Sequence, residues 1–152
     1  MSQPFVAILM GSESDMDVMK RAHATLEEFG VQCEINVRSA HRQHEALMAY
    51  IKDAETREVA VYICGAGMAA ALPGVVAAAS HKPVIGVPIQ SGGLGGLDSL
   101  LAIAQMPKGV PVACVAVNGA QNAALLAVQI MAAADPQLAE RFADFRRKQS
   151  EV

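Results

Sequence analysis

The sequence predicts an α/β domain in which a parallel sheet is covered by helices on both faces. Five short apolar runs alternate with segments whose apolar residues recur every three or four positions, the pattern of strands that alternate with helices. Two of the runs, Phe5–Met10 and Ala60–Cys64, contain no charged residue, as expected for strands buried on both faces. At 152 residues the chain fits one domain with a sizeable core, so we expect a single domain over 1–152.

The first half of the chain contains three of the predicted strands. The first, Phe5–Met10, ends in Gly11-Ser12-Glu13-Ser14-Asp15, a small-residue turn in which Ser14 or Asp15 is expected to cap the following helix. Gly11 would let a ligand approach the main chain, so this turn is a candidate phosphate or ribose site. The remaining predicted elements of this half are a helix from Asp15 to Phe29 that Gly30 ends, a strand Val31–Val37, a helix Gln43–Thr56 and the strand Ala60–Cys64.

The second half of the chain completes the predicted sheet. Gly65-Ala66-Gly67-Met68 is expected to turn into a third helix that ends near Ser80, with Pro73-Gly74 either kinking or restarting it. The glycine-rich loop Gln90–Gly96 is a candidate lid. The other predicted elements are strands Pro83–Pro88 and Pro111–Val117 and helices Leu97–Gln105, Ala120–Ala134 and Asp135–Arg147. With strand order 2-1-3-4-5, the fold would be flavodoxin-like and doubly wound, with an extra C-terminal helix.

Composition and charge exclude several classes of protein. A net charge of -3 and a pI near 5.8 argue against a nucleic-acid partner, because no basic face is available for phosphates. The three scattered cysteines form no zinc motif or disulfide framework, and the N-terminus lacks the features of a signal peptide, so we expect a cytoplasmic protein. The uncharged segment Val59–Ala79 is long enough to cross a membrane, but its glycines and proline predict a strand, a turn and a helix instead.

One histidine stands at the predicted ligand edge of the sheet. His41 lies between Ser39 and Arg42, directly after the second strand, where the carboxyl ends of parallel strands carry binding loops. A histidine there can carry protons, and the neighbouring guanidinium can bind a phosphate. The alternative is a loop histidine without a role; the other three histidines are interpreted as surface or packing residues.

Several motifs, in order along nearly the whole chain, resemble those of the PurE family of N5-carboxyaminoimidazole ribonucleotide mutases. The motifs are Gly11-Ser12-Glu13-Ser14-Asp15, Ser39-Ala40-His41-Arg42, Gly65-Ala66-Gly67-Met68-Ala69-Ala70-Ala71-Leu72-Pro73-Gly74, Asp98-Ser99-Leu100 and Gln105-Met106-Pro107. The resemblance implies a purine-biosynthetic isomerase that moves a carboxylate from an exocyclic nitrogen to ring carbon C4. It also implies that no metal or organic cofactor is used, and that the protein is a homo-octamer with sites at subunit contacts.

The resemblance also implies roles for individual residues. His41 resembles the general acid and base, Arg42 the phosphate-binding arginine, and Ser12 and Asp15 the residues for phosphate and ribose. The loop from Gly65 to Leu72 would line the pocket for base and carboxylate. The complete set of implied substrate-binding residues is Ser12, Ser14, Asp15, Ser39, Arg42, Gly65, Ala66, Gly67, Met68, Ala71 and Leu72.

Two departures from the family pattern leave alternatives open. Ala71 stands where the family usually has histidine, and Gln43-His44 where it usually has Thr-Pro. The alternatives are a carboxylase that takes CO2 directly, a branch that generally has lysine after the histidine, and an inactive structural homologue. Two other classes are disfavoured: a receiver domain needs an aspartate after the third strand, and a flavin carrier needs aromatic residues in its loops, which this chain lacks there.

Overall fold

A computed structural model describes residues 3–151, so Met1, Ser2 and Val152, the ends of the predicted domain, lie outside the described residues. Strands and α-helices alternate along most of the described chain. The strands are β1 (Phe5–Met10), β2 (Cys33–Val37), β3 (Val59–Gly67), β4 (Val84–Ile89) and β5 (Ala113–Cys114). The helices are α1 (Met16–Glu28), α2 (His44–Thr56), α3 (Leu72–Ala79), α4 (Leu97–Ala104), α5 (Ala120–Ala132) and α6 (Pro136–Gln149).

The strands form one parallel sheet in the order β2-β1-β3-β4-β5, which confirms the predicted fold class and strand order. In a parallel sheet of this order, the connections after β1 and β3 run to opposite sides, and the gap between their carboxyl ends is the usual ligand position. The loops after the first four strands therefore open toward one edge of the sheet.

Alternate side chains of the central strands fill two separate cores. Val6, Ile8 and Met10 of β1 point to the face covered by α1, α5 and α6. Phe5, Ala7 and Leu9 point to the face covered by α2, α3 and α4. The two-residue periodicity of the strand thus divides the helices into two outer layers, which explains why β1 is apolar at every position.

Strand β3 is longer than predicted, because it includes Gly65-Ala66-Gly67, which the sequence had indicated as a turn. These three residues pair with Val87, Pro88 and Ile89 of β4. The turn follows them, and it is made by Met68 and Ala70 at positive φ angles of 53° and 24°. The prediction of a glycine turn was therefore wrong, because glycine serves close packing here rather than chain reversal.

Three further boundaries differ from the predicted ones. Helix α3 begins at Leu72, so Pro73 lies in its first turn, where a missing N–H costs no hydrogen bond. Strand β5 is reduced to Ala113–Cys114 at the edge of the sheet. Asp15 occupies the cap position of α1, but neither its carboxylate nor Ser14 caps that helix.

Two sequence-based interpretations concern the membrane and the cysteines. Among residues 3–151, no helix is long and apolar enough to cross a bilayer. The three cysteines are free thiols; Cys64 is buried, whereas Cys33 and Cys114 are partly exposed. Cys64 is thus the cysteine that the core fully encloses.

Candidate active site

A cavity of about 480 Å³ lies at the carboxyl edge of the sheet. Loops after four strands contribute to it, so residues far apart in sequence face one space. Its lining consists of Gly11, Ser12, Ser14 and Asp15 after β1, Ser39–Arg42 after β2, Ala66–Leu72 at the end of β3, and Ser91 after β4. Polar side chains lie mainly on the β1 and β2 side, and apolar ones on the β3 side.

The β1 loop presents two serine hydroxyls and a carboxyl. The Oγ atoms of Ser12 and Ser14 are 2.9 Å apart, and Ser12 Oγ accepts a hydrogen bond from the Ser14 backbone N–H. Asp15 is only 7% exposed, and this burial raises its pKa, against the opposing effects of a hydrogen bond with the Ser12 backbone and the Arg42 charge. The loop therefore combines hydroxyl donors for an anion with a carboxyl that can accept from a ligand's hydroxyls.

The β2 loop is fixed by its own side chains. Ser39 Oγ accepts from the Arg42 backbone N–H at 3.1 Å, and the Ser39 N–H donates to Gln43 Oε1 at 3.0 Å. The Arg42 guanidinium reaches across to the Gly11 carbonyl, with 3.1 Å between Nη2 and O. A positive charge is thereby held beside the serines of the β1 loop, which is the composition of a phosphate site.

His41 lies in the same cavity, one residue before Arg42, and its side chain is exposed. It makes no hydrogen bond or ion pair with any residue in 3–151. An imidazole without a fixed partner retains both nitrogens for proton exchange with a ligand. Its neighbour Arg42 places a positive charge close to it in the same cavity.

The β3 loop forms the apolar wall of the cavity. Met68 and Ala70 adopt left-handed backbone conformations that non-glycine residues avoid, and Met68 remains 57% exposed. The Met68 side chain lies alongside Gly92, where a Cβ atom would be 3.7 Å from Met68 Cγ. Strained residues of this kind concentrate at functional sites, where the surrounding structure maintains them.

The cavity gathers the sequence-predicted residues with one exception. Eleven of the twelve line it, whereas Gly65 does not. Gly65 lies against Met19 of α1 instead, and a Cβ atom there would be only 2.4 Å from the Met19 sulfur. Gly65 therefore accommodates helix packing behind the site.

Five lining residues were not named individually in the sequence-predicted set, although two of them, Ala69 and Ala70, lie within the predicted loop from Gly65 to Leu72. They are Gly11, Ala40, Ala69, Ala70 and Ser91. Four of them stand between or beside predicted residues, but Ser91 comes from a separate loop. Its position directly after β4 was the available signal, since parallel strands carry their binding residues there. No group of three or more metal-ligating side chains is found within residues 3–151.

The chain resembles known proteins over almost its full length. A family model described as AIR carboxylase matches residues 5–152. An N5-carboxyaminoimidazole ribonucleotide mutase of Mycobacterium tuberculosis is 53% identical over 150 residues, which are 99% of this chain and 86% of the relative. A phosphoribosylaminoimidazole carboxylase of Saccharomyces cerevisiae is 49% identical over 99% of this chain but only 26% of its own length. The crystal structure of Treponema denticola PurE superposes with a TM-score of 0.91 at 31% identity, covering 98% of this chain and 93% of the other.

Proposed function

Because this chain belongs to the AIR carboxylase family, we propose that it is an isomerase that converts N5-carboxyaminoimidazole ribonucleotide into the C4-carboxylated isomer. The observation that carries the proposal is the placement of His41 and Arg42 in one cavity with two serine hydroxyls and a buried carboxyl. That set offers an anion site and a proton carrier side by side. The mutase relatives, about half identical over nearly the whole chain, name the reaction that such a site serves.

The distribution of polar and apolar side chains in the cavity favours one orientation of the substrate. Its phosphate lies against Arg42, Ser12 and Ser14, the cationic and hydroxyl-rich end. Asp15 accepts from the ribose hydroxyls. The imidazole ring and its carboxylate then reach the wall formed by Ala66, Gly67, Met68, Ala71 and Leu72.

His41 is sufficient for both proton transfers of the rearrangement. The protonated imidazole gives its proton to the exocyclic nitrogen as the carbon–nitrogen bond of the carbamate breaks, and the electron pair stays on that nitrogen. The ring carbon C4 then attacks the retained CO2, and neutral His41 accepts the proton that C4 loses. The protons and charges balance over the cycle, so His41 returns to its initial state.

A second candidate reaction is direct carboxylation of aminoimidazole ribonucleotide by CO2. The name of the yeast relative suggests it, but this chain corresponds to only about a quarter of that relative, so the match does not favour carboxylation over the mutase reaction. Arg42 favours the mutase, because the resemblance associates the carboxylase branch with lysine at this position, and a forked guanidinium is not equivalent to a point charge. A third alternative, an inactive homologue in which Ala71 removes a polar group, predicts no turnover of either substrate.

The family resemblance also suggests how the chain assembles and where in the cell it acts. We infer a homo-octamer in the cytoplasm, in which neighbouring copies meet near the cavities. Large exposed apolar side chains support self-association: Leu94, Leu97 and Leu101 are 66%, 57% and 50% exposed.

Turnover of a labelled substrate tests the proposal. The carbamate, labelled with 13C in its carboxyl group, is supplied with unlabelled bicarbonate, and the C4-carboxylated product is analysed by mass spectrometry. We expect the product to keep the 13C label, and we expect it to form equally when bicarbonate is omitted. Product that forms only from aminoimidazole ribonucleotide and bicarbonate would support the carboxylase, and no product from either substrate would support the inactive homologue.

A further inference from the structure

Ser91 is the polar side chain on the otherwise apolar side of the cavity. The wall at the end of β3 contributes alanine, glycine, methionine and leucine side chains, none of which donates a hydrogen bond. The other serines of the lining, and its histidine, arginine and aspartate, all come from the β1 and β2 loops. Among residues 3–151, Ser91 is therefore the side chain of the lining that can hydrogen-bond to a ligand group at the β3 wall.

The structure holds Ser91 firmly in this position. The preceding residue is anchored, because the Gln90 N–H donates to Asn118 Oδ1 at 3.0 Å. The fully buried Ser99 Oγ lies 3.0 Å from the carbonyl oxygens of both Ile89 and Gly96, so it ties the two ends of the loop together. Ser91 itself has an extended backbone without strain, with φ of -153°.

The absence of a side chain at Gly67 brings Ser91 against the end of β3. A Cβ atom at Gly67 would stand 2.9 Å from Ser91 Cβ and 3.6 Å from its Oγ. Any larger residue at position 67 would therefore displace Ser91 from the wall. The glycine keeps the hydroxyl close to the apolar pocket without any hydrogen bond between the two residues.

The hydroxyl of Ser91 is uncommitted within the described chain. The other three serines of the cavity all bond locally: Ser12 with Ser14, and Ser39 with the Arg42 backbone. Ser91 has no hydrogen-bond partner among residues 3–151, and it does not cap the short helical turn that follows it. A well-placed hydroxyl without a partner is available to a bound ligand.

We infer that Ser91 is a substrate-positioning residue whose hydroxyl donates a hydrogen bond to an oxygen of the migrating carboxylate. The inference rests on the proposed function, which places the phosphate at the opposite, cationic end of the cavity. Such a donor matters most when C4 attacks CO2, because the carbon–carbon bond forms while negative charge develops on the two oxygens. The hydroxyl keeps its own proton throughout, and His41 performs the proton transfers.

The expected consequence concerns the fate of the trapped CO2. Once the carbon–nitrogen bond has broken, the CO2 either joins C4 or escapes and leaves aminoimidazole ribonucleotide behind. A donor that stabilises the developing carboxylate favours the first outcome. Loss of this donor should slow recarboxylation about tenfold or more, because removing a hydrogen bond to a charged group usually has an effect of this size. A larger share of the CO2 should then escape.

The test compares Ser91→Ala with wild type and with Gln90→Ala. Gln90 precedes Ser91 in the loop but does not line the cavity, and its backbone bond to Asn118 does not need its side chain. Each protein receives 13C-carbamate in the presence of unlabelled bicarbonate. The measurements are kcat, KM, the label retained in the product, and the aminoimidazole ribonucleotide released beyond that of an enzyme-free control.

We expect Ser91→Ala to lower kcat about tenfold, to lose label from the product and to release aminoimidazole ribonucleotide, with KM nearly unchanged. Gln90→Ala should behave as wild type. Wild-type label retention in Ser91→Ala would overturn the inference, as would a variant impaired only in KM. If wild type itself fails to use the carbamate, it is the proposed function that fails.

Discussion

The proposed proton carrier, His41, and the proposed phosphate-binding residue, Arg42, are adjacent in sequence but differ in how firmly they are held. Arg42 is held by bonds from its backbone to Ser39 and from its side chain to Gly11. His41 has no such partner among residues 3–151. This difference suits their proposed roles, because an anion grip gains from a fixed position, whereas a group that exchanges protons at two substrate atoms needs to reorient.

Replacement of His41 by asparagine tests the proton carrier. The exposed side chain contributes nothing to the core, so we expect the variant to fold normally and to lose turnover by about a hundredfold or more, since general acid–base catalysis supplies that range. Steady-state turnover, with circular dichroism as the control for folding, checks this. A variant that retains more than about a tenth of the wild-type rate would contradict the role of His41.

We expect the buried Asp15 carboxylate to destabilise the ligand-free protein at neutral pH. Its raised pKa means that ionisation is harder in the folded than in the unfolded state. The folded protein thus loses stability as pH rises from the ordinary carboxyl range, about pH 4, through the higher pKa of folded Asp15. Asp15→Asn should therefore be more stable by about 1 kcal/mol at neutral pH and should lose this advantage near pH 4.

The same substitution should weaken binding, because an amide accepts ribose hydroxyls less strongly than a carboxylate. Thermal unfolding at pH 4 and pH 7 and a KM measurement test both effects together. Equal unfolding midpoints for wild type and variant at neutral pH would contradict the stability argument. An unchanged KM would remove Asp15 from the ribose site.

At the scale of elements, the periodic parts of the fold were predictable and the irregular parts were not. The strand–helix alternation and the apolar runs of β1, β3 and β4 predicted a parallel sheet. The strand order was a hypothesis that the structure confirms. The end of β3 was not predictable, because Gly65-Ala66-Gly67 has turn composition and only its pairing with β4 reveals a strand. Ser91 was missed for a related reason: a single serine in a glycine-rich loop has no periodic signal.

The backbone of Met68, in the turn after β3, adopts a strained left-handed conformation. A methionine at φ of 53° costs stability that glycine would not, so Met68→Gly should raise the unfolding free energy by about 0.5–1 kcal/mol. It should also lower activity, because the side chain that lies against Gly92 helps to enclose the site. Met68→Ala is the matched control, since it loses the side chain but keeps the backbone strain.

Both Met68 variants should release more CO2 in the labelling assay, but only the glycine variant should be more stable than wild type. Denaturant titration measures the stability difference. Full label retention in both variants would show that Met68 has no part in enclosing the cavity. Equal stability of the two variants would show that the left-handed backbone is not strained.

At the scale of the whole molecule, one apolar surface has no counterpart within the described chain. It comprises Leu94, Leu97 and Leu101, of which the last two lie one turn apart on α4. Nearby, Asp98 Oδ1 is buried without a hydrogen-bond partner among residues 3–151. Helix α5 is also largely apolar, but it buries its alanines against the sheet. The exposed apolar surface therefore lies on the opposite helical layer.

Light scattering tests self-association. We expect a mass well above the 15.9 kDa of one chain at micromolar concentration, and a shift toward smaller species for a Leu97→Lys, Leu101→Lys double variant. Ala139→Lys, on an exposed position of α6, is the control for added charge and should leave the mass unchanged. A wild-type mass near that of a single chain would contradict the proposed octamer.

The division of the core into two layers also bears on how the chain emerges from the ribosome. Every residue that lines the cavity lies between positions 11 and 91, yet the α1 face of β1, β3 and β4 is completed by α5, which starts at residue 120. A nascent chain can thus contain all the cavity residues while Val6, Ile8 and Met10 still lack part of their cover. Such an intermediate exposes apolar strands, so we expect chaperones to be needed most in this interval of synthesis, after the cavity residues have been made and before α5 docks.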